Sequence, residues 1–187
     1  MQEEIKKTIE VLRSGGVILY PTDTVWGIGC DATNKEAVKR IFEIKKRVDT
    51  KAMLVLIDSP AKLQAYVEEI PDMAWDLIEL TEKPLTIIYP GAKNLASNLI
   101  AADGTIGIRV VNDDFCKKLI LQFKKPIVST SANISEKPSP SNFSEIDNAI
   151  IEAVDYVVEW RQDDYTKCTP SGIIKLGVNG EIQIIRK

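Results

Sequence analysis

Two short segments carry side chains that together could hold a phosphorylated ligand. Segment 45–47 (Lys-Lys-Arg) places cations at the end of an amphipathic helix, and segment 129–133 (Ser-Thr-Ser-Ala-Asn) places four hydroxyl or amide side chains behind an apolar strand. Cations offset the charge of phosphate oxygens, while hydroxyl and amide groups make the hydrogen bonds that orient a ligand. The combination indicates an anion-binding site, although neither segment proves it alone.

Lys45 continues the apolar stripe of its helix, because it lies four residues after Ile41. Its ammonium group is therefore directed toward the protein body, and Arg47 follows in irregular chain. Hydrogen bonds between such cations and phosphate contribute about 1.5–3 kcal/mol each. A cation that only offsets the helix dipole contributes about 0.3–1 kcal/mol. Both interpretations, a bound anion and a helix-terminal charge, are open from these residues alone.

Arg109 interrupts the otherwise apolar strand at 106–111. A buried guanidinium without a partner is costly, so the strand predicts an anion beside it. The partner is either the carboxylate of a ligand, which matches the planar guanidinium, or an Asp or Glu of the protein itself, which is the simpler explanation. Thr105, just before the strand, could add a hydroxyl at its mouth.

Further polar side chains lie in predicted loops. Segment 21–24 (Pro-Thr-Asp-Thr) leaves a strand and is either a ligand contact or a locally bonded turn. Ser131 and Asn133 follow the buried run at 126–128, where short polar groups often only stabilise a turn. The loop that holds Ser139 and Ser141 could fold over a ligand. Two more residues, Ser171 and Arg186, are uninformative when taken singly.

Composition narrows the possible chemistry. The chain has no histidine, which excludes Ser-His and Cys-His catalysis and any imidazole base within it. Cys30, Cys116 and Cys168 are odd in number and far apart, so neither a disulfide framework nor a zinc site is indicated. The formal charge of −3 argues against a broad nucleic-acid footprint, while a local basic pocket for one small anion stays possible.

The 187 residues, 44% of them apolar, are enough for one domain with a substantial core. No export signal and no apolar run near 18 residues occurs, so we expect a cytoplasmic protein without membrane segments. We predict an α/β (α+β) fold, a twisted mixed sheet with helices packed on it, over residues 1–187. Helices are predicted at 3–13, 113–123 and 144–153. Three more are predicted from their starts: one capped by Asn34 with Lys45 on its stripe, one that opens at Ser59 and Pro60, and one from Pro71 through Ile78. Predicted strands are 17–20, 53–57, 85–89, 106–111, 126–130, 155–159, 172–176 and 182–185, the last pair joined by a hairpin turn at 179–180.

The order of these segments resembles the YrdC/Sua5/YciO family of ATP-using enzymes, over nearly the whole chain. Segment 20–29 (Tyr-Pro-Thr-Asp-Thr-Val-Trp-Gly-Ile-Gly) is similar to the family's Pro-Thr-[Asp/Glu]-Thr-Val-Tyr-Gly-Leu-Gly motif, and segment 45–47 to its Lys-x-Arg helix end. Three further segments match in order: Pro-Leu-Thr at 84–86, Gly-Ile-Arg-Val at 107–110 and Ser-Ala-Asn-Ile-Ser at 131–135. The resemblance implies a single YrdC-like domain.

The resemblance also implies roles for individual residues. Lys45 and Arg47 would act in catalysis. The residues implied in nucleotide binding are Lys45, Arg47, Thr105, Asn133, Ser141 and Arg186. The residues implied in binding the amino acid are Thr22, Arg109, Ser131 and Ser171. No metal ligand is implied, and Mg²⁺ would be held through the phosphates of ATP.

The implied reaction converts L-threonine, bicarbonate and ATP into threonylcarbamoyl-AMP and pyrophosphate, for the t6A modification of tRNA. A downstream threonylcarbamoyl transferase complex would use the product. The alternatives are a YciO-like nucleotide-binding protein without this activity and a noncatalytic RNA-binding module. Net acidity and few aromatic residues weigh against the RNA-binding module.

Overall fold

The computed structural model describes residues 1–46 and 53–187, which form five α-helices, two short 3₁₀ helices and nine strands. The α-helices are α1 (Gln2–Arg13), α2 (Lys35–Ile44), α3 (Asp72–Leu80), α4 (Asp114–Phe123) and α5 (Asn148–Ala153). The strands are β1 (Ile18–Tyr20), β2 (Gly27–Gly29), β3 (Leu54–Ile57), β4 (Leu85–Tyr89), β5 (Ile106–Val110), β6 (Ile127–Ser131), β7 (Tyr156–Val157), β8 (Gly172–Leu176) and β9 (Ile182–Arg186). The 3₁₀ helices are Pro60–Ala65 and Phe143–Glu145.

All nine strands belong to one sheet in the order β7-β1-β2-β6-β3-β5-β4-β8-β9. Three neighbouring pairs are parallel, namely β1 with β7, β3 with β5 and β4 with β8, and the other five pairs in the described chain are antiparallel. The predicted mixed sheet with packed helices is therefore confirmed. The prediction of a single domain stays a prediction.

The two faces of the sheet bury different sets of side chains. On the face that we call the front, Tyr20, Leu56 and Ile127 pack with residues of α1 and α4. On the opposite, back face, Val55 and Ile108 belong to a second and larger apolar cluster that includes residues of α2. Because side chains alternate along a strand, Arg109 and Ser129 share the front face with Leu56.

Local sequence explains where the helices begin. Asn34 caps α2, since its side chain accepts hydrogen bonds of 3.1 Å from the backbone of Glu36 and Ala37. Asp113 caps α4 in the same way, through the backbone N–H of Cys116 at 2.8 Å. Both caps fix the start of a helix that follows a strand or loop of the sheet.

Strand β2 is a difference from the sequence-based expectation. The segment Gly-Ile-Gly is short and glycine is depleted in strands, so no strand was expected there. The reason for glycine is the close approach of neighbours: a Cβ on Gly29 would lie 2.5 Å from the carbonyl oxygen of Val128 and 2.6 Å from Cε1 of Tyr20. Strand β2 therefore fits between β1 and β6 because it carries almost no side-chain volume at this position.

The helix expected at 144–153 is interrupted. A 3₁₀ turn at Phe143–Glu145 is followed by Ile146 in an extended conformation, and Asp147 then caps α5 with a 3.0 Å hydrogen bond from Ala149. The strand expected at 155–159 pairs only over Tyr156–Val157. Elsewhere the observed boundaries agree with the predicted ones to within a few residues, except that the expected helix after Pro60 is a 3₁₀ helix.

Two further expectations concern cysteines and membranes. All three cysteines are free, with Cys30 and Cys116 buried and Cys168 half-buried. Within the described ranges, no helix is both long and apolar enough to cross a lipid bilayer.

Candidate functional site

The front face of the sheet opens into a cavity of about 200 Å³ beyond the area that α1 and α4 cover. Its floor comes from strands β2, β3, β5, β6, β8 and β9, and its walls come from the loops around residues 24, 139 and 170. Four serine hydroxyl groups and two arginines line it, contributed by Ser129, Ser131, Ser139, Ser171, Arg109 and Arg186. We call it the front cavity.

Arg109 supplies a buried positive charge to this cavity. Its side chain is 3% exposed and its Nη2 lies 3.0 Å from Oδ1 of Asp23, so the expected ion pair within the protein is confirmed. Nη2 also donates to the hydroxyl of Thr22 at 3.5 Å. The Nε of Arg109 is buried without a hydrogen-bond partner in the described part of the chain. A guanidinium with an unused buried donor is well suited to receive an anion.

Arg186 brings a second guanidinium to the front cavity from strand β9. Its Nε donates a 2.8 Å hydrogen bond to the carbonyl oxygen of Ser171. Partial loss of water around the side chain lowers the pKa of Arg186, and the positive charge of Arg109 lowers it further. Two positive side chains that line one cavity favour the binding of an anion there.

Lys45 lies behind the loop that follows β6. The side chain is buried, as the apolar stripe of α2 predicted. Its ammonium group donates to the carbonyl oxygens of Ser131 and Asn133, the latter at 2.7 Å. Asn133 in turn donates from its amide to Lys137 at 2.7 Å. Lys45 thus ties the end of α2 to the loop that borders the front cavity.

Hydroxyl groups support one another on the far side of the cavity. Ser171 and Thr86 share a hydrogen bond of 2.8 Å between their hydroxyl groups, and both side chains are buried. The loop before β2 is bonded internally, because the hydroxyl of Thr22 donates to the carbonyl oxygen of Val25 at 2.8 Å. These contacts give the cavity walls a defined shape.

Only some of the predicted site residues therefore line the front cavity. Arg109, Ser131, Ser171 and Arg186 line the front cavity. Thr22 contacts Arg109, and Lys45 and Asn133 hold the adjoining loop. The ligand-binding roles implied for these residues stay predictions.

Three predicted residues lie apart from this group. Ser141 lines a small hollow beside the front cavity, together with Thr22. Thr105 is buried and donates its hydroxyl to the carboxylate of Asp103 at 2.7 Å, and it is not among the described residues that line the front cavity. Arg47 lies outside the described residues, so its predicted role has no structural account.

Sequence reasoning missed Arg161, and it considered Asp23 only as part of segment 21–24, either a ligand contact or a turn. Arg161 donates from Nη2 to the backbone carbonyl of Thr22 at 3.0 Å, and its Nη1 pairs with Asp113 at 3.2 Å. No periodic pattern surrounds Arg161, so nothing in the sequence singled it out. Asp23 could have been found as the anionic partner that a buried Arg109 requires.

A larger cavity of about 450 Å³ lies on the back face, between α3 and strands β4 and β5. Its floor is apolar, with Ile87, Tyr89 and Ile108, and it includes none of the predicted site residues. The chemical groups, rather than the volume, assign the site to the front cavity. In the described part of the chain, no group of three Cys, Asp or Glu side chains is placed to hold a metal ion.

The chain is similar in sequence to a family of known proteins. The Sua5_yciO_yrdC family model, described as "Telomere recombination", matches residues 10–187. A protein named threonylcarbamoyl-AMP synthase from Pseudoalteromonas translucida is 35% identical over 184 residues, which cover 97% of this chain and 97% of that protein.

Two solved structures are similar in fold. E. coli YciO superposes with a TM-score of 0.86 at 26% identity, covering 100% of this chain and 90% of that one. P. abyssi Sua5 complexed with L-threonine superposes with a TM-score of 0.82 at 29% identity over 92% of this chain, which spans 50% of the Sua5 chain. With the family model matched over nearly its whole length, the chain belongs to the Sua5/YciO/YrdC family.

Proposed function

We propose that this chain is an L-threonylcarbamoyladenylate synthase, an enzyme that makes threonylcarbamoyl-AMP and pyrophosphate from L-threonine, bicarbonate and ATP. The relative from P. translucida carries the name of this activity, and the Sua5 neighbour was solved with L-threonine. The observation that carries the proposal is the pair of guanidinium groups, Arg109 and Arg186, at one hydroxyl-lined cavity. The enzyme would be a nucleotidyltransferase of the cytoplasm whose product serves the t6A modification of tRNA.

The proposed reaction forms two bonds in sequence. The amine of threonine attacks the carbon of bicarbonate and water is lost, which gives a carbamate. A carbamate oxygen then attacks the α-phosphorus of ATP, and the bond to the β-phosphate breaks to release pyrophosphate. Because negative charge accumulates on phosphate oxygens, fixed cations at this point lower the barrier.

Each described residue has a part in this proposal. Arg109 receives the threonine carboxylate through the part of its guanidinium that lines the front cavity. Arg186 offsets phosphate charge from the opposite side of the cavity. Ser131, held by Lys45, aligns the reactants. Catalysis is then mainly positioning and electrostatic stabilisation.

The size of the front cavity agrees with binding of the amino acid inside it and of the nucleotide partly outside it. The cavity, at about 200 Å³, is smaller than the range of about 300–1,000 Å³ that is usual for ligand pockets. This space suits an amino acid, whereas a whole nucleotide has to extend out of it toward the loops of Asn133 and Ser141. Lys45 acts through the loop backbone that it holds. Arg47 keeps its predicted role on the phosphates, and Mg²⁺ would travel with the triphosphate oxygens.

The test is pyrophosphate release by the purified protein. With ATP, bicarbonate and L-threonine present, pyrophosphate should form, and omission of threonine should reduce the rate to background. Replacement of Arg109 by Met should remove the threonine-dependent part, because the carboxylate loses its partner. Pyrophosphate release at the same rate with and without threonine, or no release at all, contradicts the proposal.

The second candidate is a YciO-like nucleotide- or RNA-binding protein, because the chain shares the fold of YciO as well as that of Sua5. The relatives named threonylcarbamoyl-AMP synthase support the synthase over this candidate. It predicts ATP binding without a threonine requirement, or RNA binding that survives moderate salt. Because nonspecific RNA affinity falls steeply with salt, a titration at two salt concentrations separates specific from nonspecific binding.

A further inference from the structure

A network of polar contacts lies behind Arg109, away from the space where a ligand would bind. Asp23 pairs through Oδ1 with Nη2 of Arg109 at 3.0 Å, and its Oδ2 accepts a 3.2 Å hydrogen bond from the backbone N–H of Asn112. Asp23 therefore joins the loop before β2 to the end of β5. It fixes the guanidinium relative to the strand that carries it.

A second set of contacts holds the same loop from another direction. Arg161 donates to the carbonyl oxygen of Thr22 at 3.0 Å and pairs with Asp113 at 3.2 Å. Asp113 is also the cap of α4, so Arg161 connects the loop to the start of that helix. We call these six residues the Asp23 network: Thr22, Asp23, Arg109, Asn112, Asp113 and Arg161.

Burial makes the contact between Asp23 and Arg109 consequential. The two side chains are 7% and 3% exposed, so each would be a costly unpaired charge without the other. Neither Asp23 nor Arg161 is among the described residues that line the front cavity, and Asp23 instead borders the back cavity. Arg161 lines the small hollow that Ser141 also lines. An effect of Asp23 on a ligand in the front cavity is expected to pass through Arg109, its ion-pair partner.

We propose that Asp23 and Arg161 are positioning residues, which hold the guanidinium of Arg109 in the orientation that receives the carboxylate of the substrate. This inference rests on the proposed function for the identity of that carboxylate. A long arginine side chain loses conformational freedom when it is held in one orientation. A fixed anion beside the guanidinium removes this freedom before the ligand arrives.

The first variant is Asp23→Asn, which keeps the shape of the side chain and removes its charge. The guanidinium loses its fixed partner, and misplacement of a binding group by about 1 Å can reduce a rate about a hundredfold. We therefore expect kcat for threonine-dependent pyrophosphate release to fall by about tenfold to a hundredfold. KM for threonine should change much less, because the uncompensated charge of Arg109 still attracts carboxylates.

The second variants act at the outer contacts of the network. Asp113→Asn keeps a side chain that can cap α4 and removes only the ion pair with Arg161. Arg161→Met removes both of its contacts, and Arg161→Lys should restore part of the loss. Because Asp23 and Arg161 act on one loop, the double variant Asp23→Asn/Arg161→Met should lose less than the product of the two single effects.

The direct readout is the Nε–Hε resonance of Arg109 in a ¹H–¹⁵N spectrum, assigned by its loss in Arg109→Lys. In the unaltered protein we expect a resonance distinct from those of exposed arginines. It should move toward them in Asp23→Asn and move by a smaller amount in Asp113→Asn. The matched control is Arg40→Met, which breaks a 2.7 Å ion pair with Asp155 that shares no residue with the network. This control should leave the Arg109 resonance and kcat unchanged.

The outcomes separate the two proposals. An Arg109 resonance that stays in place in folded Asp23→Asn overturns the positioning role, whatever the enzyme does. If Asp23→Asn does not fold, the same decision is made on Asp113→Asn and Arg161→Lys. If the unaltered protein makes no threonine-dependent pyrophosphate, the proposed function fails, while the resonance still decides whether Asp23 orients Arg109.

Discussion

The ammonium group of Lys45 donates a 2.7 Å hydrogen bond to the carbonyl oxygen of Asn133, and so joins the end of α2 to the loop after β6. The same group donates to Ser131, one of the residues that line the front cavity. A single buried cation therefore orders the backbone on one side of the cavity. This arrangement leads to the first prediction.

Replacement of Lys45 by Met should destabilise the protein. Two buried carbonyl oxygens would lose a charged donor, and we expect the free energy of unfolding to fall by about 3 kcal/mol. Urea unfolding measures the change. Lys39→Met is the control, because that ammonium is exposed and pairs with Glu43 only at 3.9 Å. A loss below about 1 kcal/mol for Lys45→Met would show that the loop does not depend on it.

Replacement of Arg186 by Gln should weaken anion binding without unfolding the protein. The variant removes one of two neighbouring positive charges, and loss of about 1.4 kcal/mol of binding free energy corresponds to a tenfold weaker affinity. Calorimetric titration with inorganic pyrophosphate measures the affinity, and the thermal midpoint measures stability. Arg13→Gln, at the exposed end of α1, should change neither quantity. Unchanged pyrophosphate affinity in Arg186→Gln would remove Arg186 from the site.

Replacement of Gly29 by Ala should be more damaging than the same change at Gly107. The added methyl group at residue 29 meets the carbonyl oxygen of Val128 at 2.5 Å, and overpacking of this kind costs about 1–3 kcal/mol. At residue 107 the nearest atom is the methyl group of Thr86 at 3.4 Å, an ordinary contact. Thermal unfolding of the two variants should give a large fall for Gly29→Ala and little change for Gly107→Ala. Equal midpoints would contradict the close packing of β2.

Asp103 gives the protein a specific sensitivity to acid. Hydrogen bonding from Lys175, with further bonds from Thr105, lowers the pKa of Asp103 to about 2, below its ordinary value of 3.8. The folded chain thus binds this proton less tightly than the unfolded chain does. The resulting stabilisation is complete above pH 4 and is lost as the pH falls from about 4 to about 2.

Replacement of Asp103 by Asn should therefore make stability less dependent on pH in that window. The effect should stay below about 1 kcal/mol, because both partners are largely exposed. Thermal midpoints at pH 5, 3 and 2.5 in both proteins measure it, and the difference between the proteins should shrink as the pH falls. A constant difference at the three pH values would assign the stabilisation to something other than this carboxylate.

The sequence predicted the parts of the site that follow from periodicity. The stripe of α2 placed Lys45 inside the protein, and the apolar strand around Arg109 required an anion beside it. Both conclusions rest on alternation or helical spacing, which fix the direction of a side chain within its own element. The order of the motifs along the chain also indicated the family.

Other features needed the tertiary structure. The pairing of Arg109 with Asp23, rather than with another carboxylate, depends on how the loop before β2 meets the end of β5. Arg161 reaches Thr22 across 139 residues of sequence from irregular chain, where no periodicity applies. Strand β2 was missed because glycine is required there by the close packing of β1 and β6. Local strand propensity carries no information about that tertiary packing.

The position of β8 and β9 in the sheet has a consequence for synthesis of the protein on the ribosome. These two strands are made after every other strand, yet they cover β4, which in their absence would present an unpaired edge. The second guanidinium of the front cavity also arrives only with β9. A nascent chain that has emerged as far as residue 171 therefore exposes an unpaired strand edge and lacks one of the two arginines of the front cavity, so shielding of that edge should matter until residues 172–186 have emerged.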